Sequence, residues 1–209
     1  MAGVIKGSTG ETRRPDKGYF EMENIFAEPM KGVPRSFIRE ILKASLDPAV
    51  ISFAGGLPNP SFFPVQEIQR ATEKVFSAYG ADVLQYSNSE GDLQLRELIS
   101  KRYLAKNGLS VSPDNIIITN GAQQGIDLLG KVLLNTGDRV LIEEPGYLGA
   151  IQSLSLFNIN FIPVPVSDDG IDVDALDRAS SGDRAKMLYA VPNFQNPSGL
   201  TYRDANKEK

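Results

Sequence analysis

Three short stretches of this chain carry side chains or backbone groups that could do chemistry. Asn120-Gly121-Ala122-Gln123 follows the apolar run Ile116-Ile117-Ile118-Thr119 and opens a helical pattern. Free backbone N–H groups at a helix N-terminus form an anion site, and the helix dipole adds to it. The same residues also fit an ordinary strand-to-helix turn. Glu144-Pro145-Gly146-Tyr147 lies between a strand pattern and a helix pattern. An aromatic ring there can lie on a flat heteroaromatic ligand and keep water off one face, or it can be a core tyrosine. Asn196 comes just after the strand pattern Met187–Val191. Open α/β sheets bind ligands at such C-terminal strand ends. The same Asn-Pro pair is also a common turn signal.

Two further matches fail on inspection. Gly125, Gly130 and Lys131 satisfy G-x-x-x-x-G-K, but Val132 stands where a phosphate-binding P-loop needs Ser or Thr for magnesium. The intervening Ile126, Asp127, Leu128 and Leu129 read as a packed helix. Asp168-Asp169-Gly170-Ile171-Asp172 has the wrong spacing for a calcium loop and reads as a turn.

Composition narrows the classes. The chain has 209 residues, 41% of them hydrophobic, which is near the globular norm. Its net charge of −4 gives no electrostatic reason to expect nucleic acid as a partner. With no Cys and no His, disulfides, thiolate metal sites and histidine bases are excluded. No apolar run approaches the about 20 residues needed to span a membrane.

The elements that position these residues follow from periodicity. Residues 65–79 and 92–106 show amphipathic helical spacing. Ile116–Thr119 reads as a buried strand beside the strand Val140–Ile142, with helices expected near 123–134 and 147–156. Phe161–Val166 and Met187–Val191 read as two more strands. Pro163 and Pro165 put the first of these at an edge or leave it partly paired. Strands alternating with helices predict an α/β fold with a mostly parallel sheet and helices on both faces. The polar first 18 residues read as a disordered tail without a secretory core, and the protein as cytoplasmic. Residues 19–50 read as an N-terminal arm, with a short helix at about 36–45.

Five boxes in this order resemble the class I/II, fold-type-I aminotransferases that use pyridoxal 5'-phosphate (PLP). They are Ser52-Phe53-Ala54-Gly55-Gly56-Leu57-Pro58, Tyr86-Ser87-Asn88-Ser89-Glu90-Gly91, Thr119 to Gly125, Glu144 to Tyr147, and Asn193-Phe194-Gln195-Asn196-Pro197-Ser198-Gly199. The likeness is greatest to the aminoadipate, kynurenine and broad aromatic or branched-chain branch. It implies that residues 51–209 are the first part of a PLP-binding large domain. It implies transfer of an amino group between an L-amino acid and a 2-oxo acid. By resemblance, the N–H groups of Ala122 and Gln123 hold the PLP phosphate, Tyr147 stacks on the ring and Asn196 meets the phenolate oxygen. Many relatives have Ser where Ala122 stands, which removes one hydroxyl donor but no backbone donor. Gly55 and Gly56 lie near the substrate. Arg39 meets its distal carboxylate or is simply a solvated helix charge. The resemblance likewise implies that Tyr86 reaches across a homodimer interface to the partner's PLP phosphate.

The resemblance also predicts a gap. The family's Schiff-base lysine, its acid partner for the pyridine nitrogen and its α-carboxylate arginine follow the Asn-Pro-Ser/Thr-Gly box, and only ten residues follow Gly199 here. The chain is therefore read as the N-terminal portion of such an enzyme, inactive alone. Its expected features are an unpaired sheet edge and exposed apolar surface. The alternative is a non-catalytic module that binds a ligand or partner.

Overall fold

The computed structural model describes residues 27–32, 49–51, 58–181 and 185–209. The tail, most of the arm, its expected helix at 36–45, and Arg39, Gly55 and Gly56 lie outside the described residues.

Among the described residues the first α-helices are α1 (Val65–Tyr79) and α2 (Leu93–Asn107), each of 15 residues. Asp92 caps α2 by accepting from the Leu95 N–H at 2.9 Å. Such a cap contributes about 1 kcal/mol. Helix α1 is amphipathic as its spacing requires, yet none of its residues is buried; Ile68 is 58% exposed. Helix α2 is held by one buried side chain, Arg96, which donates to the carbonyls of Gly91 at 3.2 Å and Pro113 at 2.9 Å.

The sheet and its helices follow. After α3 (Ala122–Leu133) come β1 (Arg139–Glu144), α4 (Leu148–Ser155) and β2 (Asn160–Ser167). Then come β3 (Gly170–Ile171), α5 (Val173–Ser180), β4 (Met187–Tyr189) and α6 (Asp204–Lys207). The strand order is β3-β2-β1-β4. Strand β1 pairs parallel to both neighbours, with Leu141 opposite Ile162 and Leu188. Only the β2–β3 contact is antiparallel. The fold is thus α/β with a mostly parallel sheet, as the alternating patterns predict.

Both faces of β1 are covered, which explains why its core reads as an unbroken apolar run rather than an alternation. Val140 packs with Ile126 and Leu134, from α3 and the residue after it, and with Ala150 and Leu154 of α4. Leu141 points the other way, into a cluster with Val164, Ile171 and Tyr202 that Leu176 and Ala179 of α5 cover. The β2 prolines fall where one edge of the strand needs no N–H. Pro163 and Pro165 both sit within the ladder to β1, while β3 pairs only at Val166 and Ser167.

One strand expectation is overturned. Ile116–Thr119 forms no ladder, and its only ladder-like bond runs from the Ile118 N–H to the Glu90 carbonyl, 2.9 Å. It cannot lie beside Val140–Ile142, because β2 and β4 occupy both edges of β1. Ile117 is 64% exposed, and Leu188 of β4 is 42% exposed. Among the described residues the far edge of β4 has no strand beside it. Exposed apolar surface of the kind expected is therefore present.

Leu154 has no solvent exposure and belongs to the cluster that joins α3, α4 and β1. Leu154→Ala is expected to lower the unfolding free energy by about 3 kcal/mol. Val132 is 78% exposed, and Val132→Ala should change stability by less than about 0.5 kcal/mol. Urea titration of both variants checks the contrast.

Candidate functional site

The turn before α3 is shaped by Gly121, whose φ of 84° favours a residue without a side chain. Thr119 and Gln124 brace the turn from either end. The Thr119 hydroxyl donates to the Gly121 carbonyl at 3.1 Å, and the Gln124 side chain accepts the Asn120 N–H at 2.6 Å. These bonds leave the N–H groups of Ala122 and Gln123, at the first positions of a 12-residue helix, pointing out without an acceptor among the described residues. Both residues are exposed. An anion placed there would meet two donors and the positive end of the helix dipole.

The Gln123 side chain reaches across to the next helix, donating to the Gly149 carbonyl at 2.9 Å. This bond ties the anion-ready turn to the first turn of α4, whose N-cap residue is Tyr147. Tyr147 is half-buried, stacked on Tyr189 with ring centroids 6.3 Å apart and planes 23° apart. A Cβ on Gly149 would stand 2.6 Å from the Tyr147 ring, so only glycine leaves that ring its place. Burial and the neighbouring Tyr147 and Glu143 hold the Tyr189 phenol above its usual pKa.

Asn196 is exposed, on a loop whose next residue on the N-terminal side turns inward. Gln195 is 1% exposed and donates to the Glu143 carboxylate at 3.0 Å and to the Pro145 carbonyl at 2.6 Å. Glu143, also 1% exposed, accepts from the Val191 N–H at 2.9 Å and from the Tyr202 hydroxyl. The loop is closed by backbone bonds from Gln195 N–H to Leu200 and from Tyr202 N–H to Pro192, 2.7 and 2.8 Å. Burial, the bond to Glu143 and its negative charge raise the Tyr202 pKa well above the usual phenol range. The peptide bonds Glu144–Pro145 and Asn196–Pro197 are both cis.

The structure thus links Ala122 and Gln123 to the Tyr147 turn, and that turn to the Asn196 loop. All of them lie at or beyond the C-terminal ends of β1 and β4, or at the N-termini of α3 and α4. Tyr86 stands apart, 98% exposed, its N–H bonded only to its neighbour Gln85. The sequence reading missed Glu143, Gln195, Tyr202 and Tyr189. One signal was available for Glu143: it shares a strand face with the core residue Leu141, two positions before it, an unusual place for an acid.

The rejected matches have structural employment instead. Gly130 is buried inside α3, and Lys131 pairs with Asp127 one helical turn earlier, 2.5 Å apart. Asp172 caps α5 through the Ala175 N–H at 2.9 Å, and Asp169 pairs with Arg203 at 2.8 Å.

Comparison with known proteins gives consistent matches. The family model described as Aminotransferase class I and II matches residues 53–208. The chain is 42% identical over 176 residues to the 2-aminoadipate transaminase of Thermus thermophilus, covering 84% of this chain and 43% of that protein. It is 35% identical over 194 residues to the aromatic-amino-acid aminotransferase 1 of Thermococcus litoralis, covering 90% and 46%. The crystal structure of Pyrococcus horikoshii kynurenine aminotransferase, in complex with PMP and with KYN as substrate and KYA as product, overlays with a TM-score of 0.82. Identity is 36%, covering 90% of this chain and 48% of that one. The chain spans about half the length of the curated relatives it matches.

Tyr202→Phe removes one of the three donors to the buried Glu143 carboxylate. It is expected to cost about 1–3 kcal/mol at neutral pH, read by urea unfolding. The folded state holds the phenol proton more tightly than the unfolded chain does. The stabilisation is therefore full below the unfolded pKa of about 10 and is lost as pH rises above it. The gap between parent and variant should narrow above that pH.

Proposed function

Because the chain belongs to the aminotransferase class I and II family, we propose that residues 51–209 are the first part of a PLP-binding large domain, preceded by an arm over 19–50. The protein to which they belong moves an amino group between an L-amino acid and a 2-oxo acid. The observation that carries this reading is the bond from Gln123 to Gly149, which sets two free N–H groups beside the turn that presents Tyr147. A phosphate ester and a flat ring on one ligand suit that juxtaposition. The fit extends to Asn196, an exposed amide on the loop bound to the same turn through Gln195.

In this reading Ala122 and Gln123 hold the phosphate by backbone donation, which needs no cationic side chain. Tyr147 covers one ring face and excludes water from it. Asn196 donates to the ring's phenolic oxygen, favouring its ionised form without adding charge. PLP, when bound, supplies the electron-accepting ring on which amino-group transfer depends. Gly55, Gly56 and Arg39 serve the substrate, and the exposed Tyr86 serves a partner subunit's phosphate in a homodimer. That a solved relative carries PMP supports the choice of cofactor, and the similarity to aminoadipate and aromatic-amino-acid enzymes supports long dicarboxylic or aromatic substrates. No helix among the described residues is long and apolar enough to cross a membrane, and we place the protein in the cytoplasm.

Equilibrium titration of the chain with PLP, pyridoxal and inorganic phosphate tests the cradle. Proline is well tolerated at the first position of a helix, so Ala122→Pro deletes one donor while leaving α3 intact. It is expected to weaken PLP binding by about tenfold or more, with unchanged circular dichroism. Equal affinity for PLP and pyridoxal in the parent chain would remove the phosphate from this turn. Asn196→Ala should leave phosphate binding intact and move the pH midpoint of the bound ring's absorbance upward. An unmoved midpoint takes Asn196 out of the site.

A further inference from the structure

Gln195, the residue before Asn196, bonds both the Pro145 carbonyl and a carboxylate, Glu143, that this chemistry does not use. Glu143 accepts hydrogen bonds from three separate places, the Val191 backbone after β4, the Tyr202 hydroxyl and the Gln195 amide. Gln195 is fully engaged as well. Its second N–H goes to the Pro145 carbonyl at 2.6 Å, and its own carbonyl accepts from the Ser198 N–H at 2.9 Å and hydroxyl at 2.6 Å. One buried pair therefore joins Pro145, two residues before Tyr147, to the residue preceding Asn196.

We propose that Glu143 is a positioning residue of the cofactor pocket, whose carboxylate locks Gln195 and thereby sets where the Asn196 amide stands relative to the Tyr147 ring. The inference rests on the PLP reading above. Donor arithmetic explains why the residue must be an acid. All three groups facing it donate, and two of them, the Val191 N–H at one carboxylate oxygen and the Gln195 NH2 at the other, cannot accept, while a carboxylate offers only acceptors. An amide at position 143 would turn its NH2 against at least one of those donors. Flipping Gln195 to compensate would set its carbonyl against the carbonyl of Pro145 and its NH2 against the Ser198 N–H. Either arrangement leaves buried polar groups unmatched. The loop's backbone closure through Leu200 and Pro192 does not involve Glu143, so the loss falls on the placement of Asn196 and not on the existence of the loop.

The test uses Glu143→Gln in the 209-residue chain, with Gln195→Leu as a second variant that cuts the same link from the loop side. The first readout is amide hydrogen exchange without ligand. Exchange should quicken about tenfold or more over residues 193–200, with residues 126–133 of α3 unchanged. Uniform acceleration in both segments, or none over 193–200, overturns the proposal. The second readout is the ratio of affinities for PLP and for inorganic phosphate. It should fall about tenfold while phosphate affinity stays within about twofold, and the absorbance midpoint of bound PLP should move as in Asn196→Ala. An unchanged ratio and midpoint in both variants also overturns it. A parent chain that shows no preference for PLP over phosphate sinks the cofactor reading, and the pocket role of Glu143 falls with it. Hydrogen exchange then still decides whether the Glu143–Gln195 link holds the loop.

Discussion

A carboxylate buried at the end of a strand must be met by donors, and the residues next to it in sequence do not supply them. Glu143 sits one residue before the end of β1 with 1% of its surface exposed. An uncompensated charge there would cost several kcal/mol. Its donors come from residues 48 to 59 positions later in the chain. The stretch after β4 is therefore obliged to fold back over the C-terminal end of the sheet. Tyr202, which closes that return, is also a member of the apolar cluster formed by Leu141, Val164 and Ile171. Core packing and site geometry are in this way the same set of contacts.

The opposite face of the sheet follows a different logic. Val140, Ala150 and Leu154 are completely buried, and they fix α3 and α4 on the strands. Their helix N-termini then come together without any buried charge. Gln123 spans the gap with a single neutral hydrogen bond. One face of the candidate site thus rests on apolar packing and backbone dipoles, and the other on an anchored carboxylate. The two meet at Glu144-Pro145-Gly146-Tyr147, where the Tyr147 ring packs against the first face and the Pro145 carbonyl belongs to the second.

Exposed apolar residues show how far the described elements cover themselves. The stripe on α1 and residue Ile117 remain open to solvent, although their pattern marks them as buried positions, and Val132 and Leu188 are exposed as well. Amphipathic periodicity states only that a face is apolar. It does not state what lies on that face, and these positions have no covering element among the described residues.

The amino-acid sequence alone determined what depends on neighbours in the chain. The amphipathic period of α1, the helical span of α2, the strand at Val140–Ile142, the turn Asn120-Gly121-Ala122-Gln123 and the aromatic at Tyr147 are all local patterns, and each was legible; the apolar face expected on α2 is not formed, its one buried side chain being Arg96. The resemblance carried by five ordered boxes pointed to the family. Tertiary structure alone decided the rest. Ile116–Thr119 has the composition of a strand, but both edges of β1, beside which it was expected, are taken by β2 and β4. Glu143, Gln195 and Tyr202 read as a strand-end acid, a loop amide and a trailing aromatic. Their common role exists only because a charge removed from water requires donors wherever the fold can bring them, and sequence separation sets no limit on that search.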